Sequence, residues 1–413
     1  MKKFFQNTLA FIATIVSGLA LFSSTIMADN LKVALAAEPT SMDPHYQNLT
    51  INNSFATQVF NALVLQDVNQ NLIPGLASSW TPVDENTWEF KLRPGVKFHN
   101  GASFSAEDVV ATMKRAANVP NSPSSFGTFI KGKTFEIIDD LTLHVSTEKP
   151  YPFTPNDMSR VAIIDSAFEN ATTEDFNTGK ATFGTGPFTF SKWMPGDLIE
   201  IKRNDNYWGS AVEWDSITIR PIKDGTTRTA ALISGDVDFI ERVAPADLPN
   251  LEKRDGIKVF RSVSNRLLYL TLHMTDNPIK PYVTDLNDNP IPSPFQDFRM
   301  RKAVSLAINR QAISDRVMDG LSSPAGQFSP KGYIGYSPNL NADPYDPSQA
   351  KTLMAEAGYG DGFKLTIHGP AGRYANDTRI LEAIAQMLSS IGIETSVETM
   401  PASVFIIRFA RGW

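Results

Sequence analysis

The chain contains no cysteine, which excludes disulfide bonds, a thiol nucleophile and zinc sites with cysteine ligands. It has five histidines, and no two of them have the spacing of a metal-binding motif. Basic residues are outnumbered by acidic residues, 38 against 44, and the formal net charge of −6 argues against nucleic acid or an anionic membrane surface as a partner. We therefore expect no metal, no cofactor and no nucleic acid.

The sequence motifs of several enzyme classes are also missing. There is no G-x-S-x-G motif and no P-loop, and Gly184-x-Gly186 is followed by proline, so it cannot open a phosphate-binding helix of the G-x-G-x-x-G type. The stretch "DLNDN" at 285–289 has Pro290 where a calcium loop requires glycine, so it predicts a turn. Two carboxylates from distant segments would suffice for a glycosidase, so a secreted hydrolase stays an open alternative. We assign no catalytic residue.

The only long hydrophobic run lies in the first 28 residues. Two lysines precede an apolar segment from Leu9 to Phe22, and a plausible cleavage site follows Ala28. The run is short for a membrane span, so residues 1–28 are predicted to be a signal peptide. Asp29, not a cysteine, follows the cleavage site. The mature protein is therefore expected to be soluble in the periplasm and not lipid-anchored.

The stretch "TWEFKLRPGVKFHNG", residues 87–101, alternates apolar and polar residues and ends on turn signals. Pro94-Gly95 is a turn dipeptide, so the strand is predicted to return on itself as a hairpin through Val96–Phe98. His99 lies at the rim of this hairpin and has no carboxylate near it in sequence. The stretch therefore predicts scaffold, with His99 as a solvated turn residue and not a catalyst.

The rest of the chain mixes strand and helix patterns, which predicts an α/β fold. Five polar residues stand where they would cap helices: Ser105, Asp297, Asn309, Asp346 and Asn376. Residues 256–263 and 267–274 alternate as strands do.

Several segments together resemble the family 5 solute-binding proteins of bacterial ABC importers, the dipeptide and oligopeptide receptors. In chain order they are "EPTSMDPH", "GLASSWTPVDENTWEFKLRPGVKFHNGASFSAEDV", "GTGPFTFSKW" with "NDNYWG", "DFRMRKAVSLAINRQAI" and "AKTLMAEAGY". The second is the most specific, and the order fits over essentially the whole mature chain. The resemblance implies a bilobal, periplasmic binding protein-like α/β fold of class II with an inserted subdomain.

The resemblance also implies domain boundaries. By this interpretation residues 29–60 and 183–265 form lobe I, residues 61–182 form its inserted subdomain, and residues 266–413 form lobe II. The chain stops at "SVFIIRFARGW", directly after a predicted strand. Because relatives continue from there, we expect an incomplete lobe II with poorly buried Val404, Phe405, Ile406, Ile407 and Phe409. The acid that pairs with a peptide amino terminus would lie beyond Trp413.

The function implied by the resemblance is capture of short peptides between two lobes and delivery to the transmembrane subunits of an ABC permease, by a monomer. The candidate ligand contacts are Tyr46, Asn48 and Thr50 in one loop, and Arg373 and Tyr374 in the loop "GPAGRYAND". Arg373 would pair with a carboxylate and Tyr374 would form a wall of the cleft. A receptor for a nickel chelate, an opine, glutathione or a sugar is the open alternative within the same class.

Overall fold

The computed structural model describes residues 29–262, 264–275, 282–401, 404–406 and 408, so the predicted signal peptide lies outside the described residues. The strands are β1 Asn30–Leu35, β2 Val64–Gln66, β3 Leu72–Pro74, β4 Ala77–Pro82, β5 Thr87–Leu92, β6 Lys133–Asp139, β7 Thr142–Thr147, β8 Phe188–Met194, β9 Leu198–Arg203, β10 Ser216–Pro221, β11 Phe239–Ile240, β12 Val283–Thr284, β13 Phe363–Ala371 and β14 Ile393–Pro401. The helices are α1 Thr50–Val59, α2 Ala106–Ala116, α3 Gly127–Ile130, α4 Thr154–Met158, α5 Thr173–Asn177, α6 Gly225–Ser234, α7 Leu248–Glu252, α8 Phe298–Ala307, α9 Arg310–Ala312, α10 Pro347–Glu356 and α11 Asp377–Ser389.

The first sheet joins the start of the chain to its middle. Its order is β11-β1-β10-β9-β8, with β1 parallel to β10 and β11 and the other pairs antiparallel. One face packs on α1 through apolar residues that include Phe55, Phe60, Ile199 and Ile201. The chain leaves this sheet after β1 and α1 and returns to it at β8. The segment between α1 and β8 therefore lies outside this sheet.

The segment between α1 and β8 has a hydrophobic core of its own. Four antiparallel strands in the order β4-β5-β7-β6 pack with α2 around buried residues such as Phe90, Met113 and Leu143. The hairpin predicted through Val96–Phe98 is wrong. Strand β5 pairs with β4 on one edge and with β7 on the other, so its backbone groups are already taken. Val96 and Phe98 are buried as the alternation predicted, but outside the sheet.

The third sheet lies in the last part of the chain, in the order β12-β13-β14. Strands β13 and β14 are parallel, in register from Phe363 opposite Ile393, and α11 connects them. Helices α8, α10 and α11 share a core with this sheet that includes Met300, Phe363 and Leu388. A strand, a helix and a parallel strand make one α/β unit, as the pattern predicted.

The strands predicted at 256–263 and 267–274 do not form. The described residues of both segments form no β-ladder. The alternation still has a physical effect, because Leu270 and Leu272 pack against the third core while Tyr269 is 61% exposed. Alternation selects which side chains are buried, but a strand also needs a neighbour that accepts its N–H groups. Among the described residues no such neighbour lies beside these segments.

The predicted helix caps hold at four of five positions. Ser105 forms a capping box with Asp108, and Asp297, Asn309 and Asp346 each accept a backbone N–H of the first turn of their helix. Asn376 does not cap α11 with its side chain.

The reason is the backbone conformation of Asn376, which is left-handed with a φ of 53°. Its amide instead donates to the carbonyl of Val317 at 2.7 Å.

Two of the five residues that the sequence predicted to be poorly buried are exposed. Val404 and Ile406 are 40% and 43% exposed, and Phe405 is partly buried. Ile407 and Phe409 lie outside the described residues. No helix in the described part of the chain combines the length and the apolarity that crossing a bilayer requires.

Candidate functional site

A buried ion pair fixes the loop between β1 and α1. Arg115 on α2 donates two hydrogen bonds to the carboxylate of Asp43, at 2.9 and 2.7 Å, and Thr173 donates a third at 2.9 Å. Asp43 is 1% exposed and Arg115 is 8% exposed. Burial raises the pKa of Asp43, but the hydrogen bond and the charge of Arg115 outweigh that effect, so the pKa is lowered. The loop is thereby tied to α2.

His45 completes this cluster by contacting the guanidinium of Arg115. Its Nε2 lies 2.7 Å from the carbonyl oxygen of Ala162, and its Nδ1 lies 3.0 Å from Nη1 of Arg115. A guanidinium can only donate, so Nδ1 is the acceptor and Nε2 carries the proton. Burial and the charge of Arg115 lower the pKa of His45 to about 4. His45 is therefore neutral near pH 7, in a single tautomer, and is structural.

His99 is a second structural histidine. The prediction that it is a solvated turn residue is wrong. Its Nδ1 accepts from the N–H of Gly184 at 3.2 Å, and its Nε2 lies 3.1 Å from the carbonyl of Gly186. Burial lowers the pKa of His99. Both ring nitrogens are used by backbone groups, so the ring joins the β4–β7 layer to the segment before β8. Sequence separation hid these partners, because they arrive from far along the chain.

Tyr46 lines a pocket of about 330 Å³ beside this loop. The lining residues come from the loop, from the chain after α2 and from α5: Thr40, Ser41, Tyr46, Pro120, Asn121, Thr173, Glu174 and Asn177. The Oγ of Ser41 donates to the side-chain oxygen of Asn177 at 2.7 Å, which joins two sides of the pocket. The lining is mostly polar and carries one acid, Glu174. Such a pocket offers hydrogen bonds to a polar solute.

Asn48 and Thr50 do not line this pocket. The backbone N–H of Asn48 donates to the carbonyl of Ser124 at 3.0 Å, and its side-chain oxygen accepts from Asn53 at 2.9 Å. Thr50 is the exposed first residue of α1. Asn48 is therefore already engaged within the protein, and Thr50 is exposed at the start of α1.

Arg373 and Tyr374 lie on the loop between β13 and α11, and Asp377 shapes that loop. The buried carboxylate of Asp377 accepts the backbone N–H groups of Gly372, Arg373 and Tyr374, at 3.2, 2.9 and 3.1 Å. With three N–H groups turned toward one carboxylate, the loop has a fixed conformation. It displays the two predicted side chains at the end of β13, where the ends of parallel strands commonly bind ligands.

The side chains of Arg373 and Tyr374 contact each other. Nε of Arg373 donates to the hydroxyl of Tyr374 at 3.0 Å, and its guanidinium carbon lies 5.3 Å from the ring centroid. The guanidinium carbon of Arg266, from the segment before β12, lies 5.4 Å from the same centroid. In the described part of the chain no carboxylate forms an ion pair with Arg373 or with Arg266, whereas Arg299 pairs with Asp297. The two guanidiniums are therefore available to an anion.

The structure brings Arg373 and Tyr374 together and places Tyr46 in a separate pocket. Across the described residues, no hydrogen bond, ion pair or ring contact joins the Tyr46 loop to the Arg373 loop. Sequence reasoning missed Asp377 and Arg266. Asp377 had a usable signal, an acid placed just after a glycine-containing loop, but nothing in the sequence around Arg266 indicates its neighbour Tyr374. In the described residues no group of three His, Cys, Asp or Glu side chains lies close enough to hold a metal ion.

Comparison with known proteins identifies the family. The model of the bacterial extracellular solute-binding proteins, family 5 middle region, matches residues 71–411. The chain belongs to this family of solute-binding proteins. It is a receptor component of ABC importers, and the bilobal fold predicted from the sequence is confirmed by solved structures of the same class.

Relatives of this family 5 protein are solute-binding proteins with different named ligands. The glutathione-binding protein GsiB of Pectobacterium atrosepticum is 29% identical over 393 residues, which cover 95% of this chain and 73% of the relative. The periplasmic binding protein DppA of Helicobacter pylori, in complex with the peptide STSA, is 23% identical with a TM-score of 0.73, covering 92% of this chain and 76% of that one.

NikZ of Campylobacter jejuni, in complex with Ni(L-His), is 22% identical with a TM-score of 0.74, covering 91% and 75%. At these identities the two structures establish the fold, and the ligand of this family 5 protein is decided by its own residues.

Proposed function

We propose that this protein captures short peptides between its two lobes and presents them to an ABC permease. The observation that carries the proposal is the Arg373 loop, because it displays a guanidinium that has no carboxylate partner among the described residues, on a backbone held by Asp377. A peptide ends in a carboxylate, which a planar guanidinium binds through two parallel hydrogen bonds. The ring of Tyr374, beside the guanidinium, would form a wall at that end of the cleft.

The lobe I loop supplies the complementary part of the proposed cleft. A peptide backbone loses its hydrogen bonds to water when it is enclosed, so a receptor must return them. The mostly polar pocket at Tyr46 would offer hydroxyl and amide groups for this purpose, and Asn48 and the exposed Thr50 are the other proposed contacts of this loop. Water in the remaining space would let one receptor accept different side chains.

The cellular setting is part of the same proposal. Residues 1–28 would direct export, and the mature chain would act as a periplasmic monomer without catalytic activity. N-terminal sequencing of the exported protein should begin at Asp29, and a product that retains Met1 on the membrane would contradict this.

Glutathione is the second candidate solute, and the observation that favours it is the identity of 29% to a glutathione-binding protein over 95% of this chain. Glutathione is itself a peptide-like solute with free carboxylates, so it fits the same guanidinium. Mass spectrometry of the small molecule that copurifies with the protein separates this candidate from ordinary peptides, opines, nickel chelates and sugars.

The test of the peptide proposal is calorimetric titration with trialanine and with its C-terminal amide. Trialanine should bind about tenfold or more tightly than the amide, because only the free acid pairs with Arg373. Arg373→Ala should remove most of this difference. Arg379→Ala is the matched control, since Arg379 is an exposed cation on α11. Equal binding of both peptides, or no binding of either, would refute the proposal.

A further inference from the structure

Two guanidiniums share one aromatic ring at the edge of lobe II. Arg373 approaches Tyr374 from the adjacent position of its own loop, and Arg266 approaches from the segment before β12. Their guanidinium carbons lie 5.3 and 5.4 Å from the ring centroid, so they are separated by at most about twice that distance. Two cations therefore contact the same aromatic ring, from segments that are far apart in sequence.

Neither charge is balanced by an acid within the described part of the chain. Asp377, the acid at the start of α11 that shapes the loop, already accepts four backbone N–H groups with its two oxygens. Arginines with structural roles look different here: Arg115 pairs with Asp43, and Arg299 pairs with Asp297. The electron-rich face of a tyrosine ring attracts cations, which helps to hold two of them in spite of their mutual repulsion.

From this juxtaposition we infer that the site selects solutes that carry two carboxylates. The inference deepens the proposed function and rests on it, since Arg373 is taken to bind the terminal carboxylate of a peptide. Arg266 then binds a second acid group, such as the side chain of a C-terminal glutamate or aspartate. A neutral side chain at that position leaves Arg266 without an anion, and a basic one adds repulsion.

The role of Arg266 differs from that of Arg373. Removing Arg373 takes away the contact that every peptide with a free carboxyl end would use. Removing Arg266 takes away only the contact to the second acid group. The roles of the two arginines are therefore distinguished by which ligand loses affinity when each is removed, and not by how much affinity is lost.

The test uses the dipeptides alanyl-glutamate and alanyl-glutamine, which have nearly the same shape and differ in the second carboxylate. The purified protein should bind alanyl-glutamate about tenfold more tightly, which is the effect of one additional charge-assisted contact. Arg266→Gln should bring the two affinities to within about twofold of each other by weakening only alanyl-glutamate. Added salt should reduce the preference of the unmodified protein, because a pair at an exposed arginine is screened.

Arg379→Gln is the matched control, because it removes one exposed positive charge from the same lobe and should keep the preference. The melting temperature of each variant shows that it is folded, and Arg266→Lys, which keeps the charge, provides a second variant with a partial preference. Equal affinity of the unmodified protein for the two dipeptides, or an unchanged ratio in Arg266→Gln, overturns the inference and leaves the peptide proposal intact. If neither dipeptide nor trialanine binds, the peptide proposal fails and this inference fails with it.

Discussion

Acid should destabilise the protein through His45. This histidine is fully buried between the carbonyl of Ala162 and the guanidinium of Arg115, and its pKa is lowered from 6.5 to about 4. The unfolded chain therefore takes up a proton at a higher pH than the folded chain does. The stabilisation from a neutral His45 is complete above pH 6.5, falls as the pH decreases toward 4, and is absent below 4.

The size of the effect follows from how far the pKa of His45 is lowered. Because a tenfold change in a protonation equilibrium corresponds to about 1.4 kcal/mol, protonation of His45 should lower the free energy of unfolding by about 3 kcal/mol between those two pH values. Asp43 contributes in the same direction at lower pH, because its pKa is also lowered and its ion pair with Arg115 is lost on protonation. His99 also has a lowered pKa.

The assay is urea denaturation of the unmodified protein and of His45→Gln at several pH values from about 7.5 to about 4.5, a range that spans most of the titration of His45. Glutamine keeps a donor for the carbonyl of Ala162 but does not titrate. The contribution of His99 is common to both proteins, and the pKa of Asp43 is lowered to below this pH range, so the difference between the two free energies reports mainly on His45. We expect the unmodified protein to lose its advantage as the pH falls. The same pH slope in both proteins would show that the burial argument for His45 is wrong.

Two further substitutions test the interior contacts. Arg115→Ala should lower the free energy of unfolding by about 3–5 kcal/mol, because it leaves the carboxylate of Asp43 buried without its partner. Replacing both partners, Asp43→Asn with Arg115→Met, should cost less in the same denaturation assay, and a larger loss in the double variant would contradict this. Gly184→Ala should cost about 1–3 kcal/mol, because a Cβ there would lie 2.0 Å from the carbonyl oxygen of Val59. Gly225→Ala, whose Cβ would meet nothing closer than 3.8 Å, should leave the melting temperature nearly unchanged, and equal melting temperatures for the two alanine variants would refute the steric argument.

Local chemistry made several elements of the fold predictable. A capping residue acts within one turn of its own helix. The caps Ser105, Asp297 and Asp346 could therefore be predicted from the residues next to them in sequence. The burial of alternating residues was predictable for the same reason, because successive side chains of extended chain point to opposite sides. In residues 267–274, where no strand formed, it holds only in part, because Leu270 and Leu272 pack against the third core while Leu268 and Met274 are exposed.

The candidate site divides in the same way. The resemblance to the family predicted ligand contacts in the loop after Asp43 and in the loop of Arg373 and Tyr374, and that assignment stays a prediction. Which strands pair was not contained in the alternation, so the hairpin through Val96–Phe98 was wrong and the pairing of β5 with β4 and β7 was missed.

Only the tertiary structure decided the contacts between distant segments. It placed Arg115 against Asp43 and His45, Gly184 and Gly186 against His99, and Arg266 against Tyr374. The physical reason is the separation along the chain over which each interaction acts. Backbone capping and alternation depend on residues a few positions apart, whereas burial, an ion pair or a lowered pKa depends on groups that meet only after the layers have packed. The sequence therefore does not distinguish His45 or His99 from any other histidine. The lowered pKa of each is a property of the folded protein.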